Sequence, residues 1–132
     1  MAYWLVKSEP EEYSFAQLMQ EGVARWDGVR NPQAQKYLRA MQVGDLVLYY
    51  HTGAERAIVG LAEVVRAAYP DPADPRYGVV DLRAVRPFSR PLPLQAIRKE
   101  PLFSSWALVR QPRLSVMPVP ESLWEVILAR VK

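Results

Sequence analysis

Five consecutive apolar residues, Leu46-Val47-Leu48-Tyr49-Tyr50, stand between a Val43-Gly44-Asp45 turn and a His51-Thr52-Gly53 loop. A run this short with no polar member reads as an interior strand, because it has no face to offer water. An interior strand needs neighbours. Residues 57–66 (AIVGLAEVVR) and 77–85 (YGVVDLRAV) read as two further strands, separated by Tyr69-Pro70-Asp71-Pro72-Ala73-Asp74-Pro75, whose prolines bar a helix. Residues 3–7 (YWLVK) form a first strand closed by Ser8-Glu9-Pro10, and 113–119 (RLSVMPV) a last one.

Helical signals fall between and after these strands. Ser14 caps a short helix with Phe15, Leu18 and Met19 inward and Gly22 at its end. Asn31 is a good N-cap for a second, with Pro32 at its first position and Ala34, Leu38 and Met41 on one face. Residues 120–131 make a closing helix with Leu123, Trp124, Ile127 and Leu128 inward. From residue 87 the chain is punctuated by proline; 94–99 fits a helical turn and 103–109 fits no single pattern. The pattern predicts an α+β domain spanning residues 1–132, whose sheet closes into a small barrel around Leu5, Leu46, Leu48, Val59, Leu61, Val64, Val80, Leu82 and Leu114. Half of the 132 residues are hydrophobic, enough for one core.

Several chemistries are excluded by composition. With no cysteine and one histidine, disulfides, thiol catalysis and Cys- or His-rich metal sites have no ligands to use, so no metal or cofactor is expected. The N-terminus lacks the basic flank and apolar run of a secretion signal and no segment is long enough to span a membrane, which makes the cytoplasm the expected location. Net charge is +3, but residues 1–82 carry 8 Lys/Arg against 11 Asp/Glu while 83–132 carry 9 against 3. That asymmetry permits a surface facing a polyanion, and equally a basic half spread over several solvated faces.

The segment Trp26-Asp27-Gly28-Val29-Arg30-Asn31 places a large aromatic and a guanidinium on either side of a bend. Such side chains are either presented to a ligand or, for the tryptophan, folded into the core. Trp4 and Trp124 lie in periodic segments and are assigned to the core; Trp106 lies in the ambiguous stretch. His51 has no nucleophile elbow beside it, no carboxylates stand in a catalytic spacing, and the six glycines are isolated, so neither acyl transfer nor nucleotide hydrolysis is indicated.

Taken in order, Tyr3-Trp4-Leu5-Val6-Lys7-Ser8-Glu9-Pro10, Trp26 to Asn31 with Gln33-Ala34, Leu38-Arg39-Ala40-Met41, Gly44-Asp45, Tyr49-Tyr50-His51-Thr52 and Val59-Gly60-Leu61-Ala62-Glu63-Val64-Val65 resemble the EVE domain family over essentially the whole chain. Many small bacterial proteins carry this domain. The resemblance implies a PUA-like fold, a mixed β-barrel with helices packed around it, related to YTH and ASCH domains. It also implies a nucleic-acid partner, DNA or RNA, and a modified base held in an aromatic-lined pocket. Two positions depart from the family's pattern: Pro32 stands where many relatives have another residue, often aromatic, and Thr52 where serine is frequent.

On that reading Trp26 walls the pocket, with Gly28 and Val29 in its turn. Lys7, Ser8, Glu9 and Asn31 read the edge of the base, and His51 and Thr52 complete the lining. Arg30, Lys36 and Arg39 are the phosphate contacts. Each has a plainer alternative: core packing for Trp26, the helix cap for Asn31, a solvated carboxylate for Glu9, a structural hydrogen bond for His51, an ordinary charged helix face for the three cations. The expected activity is binding without catalysis. The alternative is a small enzyme or a nucleoside- or metabolite-binding protein using the same cavity.

Overall fold

A computed structural model describes residues 1–132. The chain runs β1 (Tyr3–Ser8), α1 (Phe15–Glu21), β2 (Val23–Trp26), α2 (Pro32–Ala40), β3 (Leu46–His51), β4 (Ala57–Pro70), β5 (Gly78–Pro93), α3 (Leu94–Arg98), a 3-10 turn (Pro101–Phe103), α4 (Ala107–Arg110), β6 (Val116–Pro118) and α5 (Glu121–Arg130). The six strands form one mixed sheet in the order β2-β5-β4-β3-β1-β6, in which only β1 and β3 are parallel. This is the expected α+β, PUA-like architecture. The run at 46–50 is interior: every residue of β3 after Leu46 is buried.

Shifts of register, one in the β3–β4 ladder and four in the β4–β5 ladder, let the sheet curl. Curling brings Trp26 on edge strand β2 against Tyr49 on β3, with ring centroids 5.3 Å apart. No ladder joins the two edges, β2 and β6. Helix α2 packs against β4, β5 and β6 and so covers the seam between them. Gly60 makes the close approach of α1 possible, since a Cβ there would stand 2.6 Å from the Phe15 ring. Buried Asp45 accepts from Trp4 Nε1 (2.9 Å), Gln42 N (2.9 Å) and Ala2 N (3.2 Å), anchoring the N-terminal strand.

All of the expected core residues are buried except Leu46, which is half-buried at the start of β3. Met19 is exposed, not inward: α1 turns Phe15 and Leu18 to the core, and Met19 follows Leu18 by about 100° around the helix. The last strand is shorter than 113–119, and β5 is longer than 77–85 because it runs through Pro87 and Pro91 to Pro93. The β2–β5 ladder ends at Val23–Arg83, with one further bond from Ala84 N to Gly22 O, so the prolines of β5 lie beyond it on a stretch where no second strand is paired. Trp106 is buried and donates its indole N–H to Pro118 O at 3.1 Å. No helix is long and apolar enough to cross a membrane.

Candidate functional site

The C-terminal ends of β1 and β2, with the loops that follow them, surround a cavity of about 400 Å³. Strand β1 contributes Lys7 and Ser8, and the loop after it Glu9, Glu12 and Tyr13. Strand β2 contributes Arg25 and Trp26, the next loop Asp27, Gly28 and Val29, and Ser115 closes the ring from just before β6.

Trp26 is 8% exposed, fixed in register opposite Val80 and edge-to-face with Tyr49 and Tyr13. Its indole N–H donates to no protein atom, and it is not enclosed, since Tyr13 Oη is the one buried polar side-chain atom without a partner. The cavity therefore receives part of a rigid aromatic wall, and the indole carries a donor that the protein does not use.

The loop after Trp26 turns at Gly28, whose φ of 76° is in the left-handed region. Buried Gln35 holds it from behind: Nε2 donates to Val29 O (2.6 Å) and Gly78 O (3.0 Å), and Oε1 accepts from Gly78 N (2.9 Å). On the opposite wall, Ser8 Oγ and Tyr49 Oη both donate to Tyr13 O, at 2.7 and 2.8 Å. Lys7 Nζ donates to Pro112 O at 2.9 Å, and burial pulls the pKa of this ammonium down. Burial pushes the phenols of Tyr13 and Tyr49 up to about 12, for Tyr13 with help from the Glu21 carboxylate, so both are neutral donors at physiological pH. Two cations, Lys7 and Arg25, and three carboxylates, Glu9, Glu12 and Asp27, surround the cavity, a mixture suited to a neutral ligand with both donor and acceptor edges.

Of the residues singled out from the sequence, Trp26, Lys7, Ser8, Glu9, Gly28 and Val29 meet in this cavity; Asn31, His51 and Thr52 do not line it. Asn31 caps α2, its Oδ1 accepting from Ala34 N at 3.0 Å. His51 is buried and committed on both sides of its ring: Nε2 accepts from Phe15 N (3.0 Å), which places the proton on Nδ1, facing Glu55 Oε1 at 2.7 Å. Thr52 lines a second, smaller cavity on the other side of Lys7. Arg30 is 3.5 Å from Asp74 and stacked over the Tyr77 ring, Arg39 donates to Arg76 O at 2.9 Å, and Lys36 is exposed. Glu12, Tyr13, Arg25, Asp27 and Ser115 join the cavity without having been singled out. Asp27 and Arg25 flank Trp26 in the sequence and were within reach of the reading. Ser115 was not, since the 112–115 segment reaches β1 only through the fold, as in the Lys7–Pro112 bond spanning 105 positions.

The EVE domain model matches residues 2–130. Thymocyte nuclear protein 1 of Mus musculus is 34% identical over 164 residues, covering 96% of this chain and 72% of its own. A Rhodopseudomonas palustris protein solved by NMR superposes with a TM-score of 0.94 at 41% identity, over 99% of this chain and 93% of that one. The human THYN1 protein, crystallised in complex with DNA containing 5-methylcytosine, superposes with a TM-score of 0.90 at 27% identity, over 98% and 96%. The motifs from Tyr3 to Val65, the curled mixed sheet and these likenesses agree: this chain belongs to the EVE domain family.

Proposed function

We propose that residues 1–132 act as one nucleic-acid-binding domain that holds a modified base, unpaired or flipped out of its stack, in the cavity walled by Trp26. The observation that carries this reading is the cavity itself: about 400 Å³, within the ~300 to 1,000 Å³ of small-molecule sites, with an aromatic wall and polar atoms around it. A flipped base needs such a wall for stacking and partners for its edge, because each unpaired edge atom in a dry pocket weakens binding. The human relative's complex makes 5-methylcytosine in DNA the first base to test, with modified RNA bases beside it. The reading is non-catalytic. In its support, the single histidine has both ring nitrogens engaged within the fold and lies outside the cavity lining.

The experiment is a titration of the purified protein with short oligonucleotides that carry defined base modifications, alongside unmodified oligonucleotides and free modified nucleosides. Tighter binding of one modified oligonucleotide than of its unmodified twin is expected. Equal affinities across the set overturn the reading, and binding of a free nucleoside or metabolite in preference to every oligonucleotide replaces it with the small-molecule one.

A further inference from the structure

On the other side of Lys7 from the Trp26 cavity lies a hollow of about 200 Å³ lined by Lys7, Tyr50, Thr52, Arg56 and Arg98 among others, with no carboxylate in its wall. We infer that this hollow is an anion site and that it takes a phosphodiester group of the same nucleic-acid strand whose base enters the Trp26 cavity. The inference rests on the base-binding reading for the identity of the ligand, and on its own geometry for the anion.

The geometry has four parts. Lys7 Nζ stands 5.6 Å from the Tyr50 ring centroid, and the guanidinium charges of Arg56 and Arg98 lie close enough to oppose the effect of burial on the Tyr50 phenol. The Tyr50 side chain is buried in the wall of the hollow, and its hydroxyl makes no bond within the protein and is not enclosed, which leaves it a free donor. None of the three cations is in an ion pair, whereas Arg30, Arg76, Arg83 and Arg130 are all matched with carboxylates elsewhere. Arg56 is also the chain's one non-glycine residue at positive φ, 44°, in a tight turn where its Nε donates to Gly53 O (3.1 Å) and its carbonyl accepts from Leu94 N (2.8 Å). Those two bonds hold the Arg56 backbone at the wall of the hollow.

Beyond this hollow, Arg56 and Arg98 also line a wider groove of about 540 Å³ that adds Lys99, three cations against a single carboxylate, Glu55, which accepts a hydrogen bond from His51 Nδ1. A strand leaving the Trp26 cavity past Lys7 thus meets cations in succession, separated from the base by one side chain.

The test compares wild type with Arg98→Gln and Arg56→Lys, using the tightest-binding modified oligonucleotide, its unmodified twin and inorganic phosphate. Arg98→Gln should lower the slope of log affinity against log salt by about 0.7 to 0.9, one released counterion, and leave the ratio of modified to unmodified affinities unchanged. Arg56→Lys keeps the charge and should keep the slope. An unchanged slope in Arg98→Gln overturns the proposal, and so does a slope lowered instead by Arg30→Ala and Arg39→Ala, which moves the strand to the α2 side. Should no oligonucleotide bind wild type, the base reading fails by itself. Phosphate titration followed by the NMR signals of Tyr50, Gly53 and Arg98 then decides the anion site: saturable shifts lost in Arg98→Gln sustain it, and no shifts overturn it.

Discussion

Trp26 combines the two roles that its sequence context set against each other. Its body is packed edge-on against Tyr49 and Tyr13 while part of its surface lines the cavity, so a single substitution removes both packing and wall. Trp26→Ala should therefore destabilise the fold by ~3 to 5 kcal/mol as well as abolish discrimination between modified and unmodified bases. Trp26→Phe separates the roles: it keeps an aromatic contact with Tyr49, should lose less stability in chemical denaturation, and should still weaken binding because the indole donor and half of the bicyclic surface are gone. A Trp26→Phe protein that discriminates like wild type would remove Trp26 from the wall. The two neighbouring tyrosines carry a pH prediction. Tyr13 and Tyr49 have pKa values pushed up to about 12, against about 10 in the unfolded chain. Below pH 10 both states hold the phenol proton, and between 10 and 12 the unfolded chain loses it first. Stability should therefore fall over that window, and ultraviolet titration should show Tyr13 and Tyr49, together with Tyr50 and Tyr69, whose phenols burial also pushes up, ionising after the other three of the seven tyrosines or only on unfolding.

Among elements, those with a strong period or a strong cap were legible and those defined by partners were not. The run at 46–50 could only be an interior strand, and Asn31-Pro32 could only open a helix; both stand as read. Strand β2 is Val-Ala-Arg-Trp, four residues without alternation, and exists because β5 offers it an edge. Missing it made Trp26 look like a turn residue. The cations of the hollow were hidden for the same reason: Arg56 and Arg98 come together because the β4–β5 ladder pairs Ala57 with Pro93 at its open end. Gln35 shows how an unremarked residue can shape a site, since it ties the loop after β2 to the start of β5 without reaching the cavity. Gln35→Leu removes three hydrogen bonds and leaves Gly78 N–H and two carbonyls unpaired in a buried place, which should destabilise by ~1 to 3 kcal/mol. If Gln35 sets the loop, the variant's affinity for the modified oligonucleotide should fall as well; unaltered binding would make it a strut for the fold alone.

At the scale of the molecule, the acidic first part and basic remainder of the sequence meet in the fold: Arg83 of the second is matched with Glu63 of the first, and Lys7 of the first lines the same hollow as Arg98 of the second. What unites the chain is a continuous cluster of 37 buried hydrophobic residues, reaching from Trp4 to Val131. The first strand is paired to β3 and β6, and α5 is fastened to it by the Tyr3–Trp124 stack, with ring centroids 4.2 Å apart and planes 7° from parallel. Neither terminal segment can leave without exposing the other. Residues 1–132 should therefore unfold in one cooperative step, as expected of a single domain of this size. The four tryptophans report on β1, β2, the segment before α4, and α5, so their fluorescence samples widely separated parts of the fold. Fluorescence, far-ultraviolet circular dichroism and calorimetry should give coincident transitions, with the calorimetric and van't Hoff enthalpies equal. Two resolved transitions would divide the chain into separate folding units and break the one-domain reading. A modified oligonucleotide bound to the native state should raise the midpoint of that one transition in proportion to the logarithm of its concentration, for every probe alike, because the Trp26 cavity draws its walls from both ends of the same core.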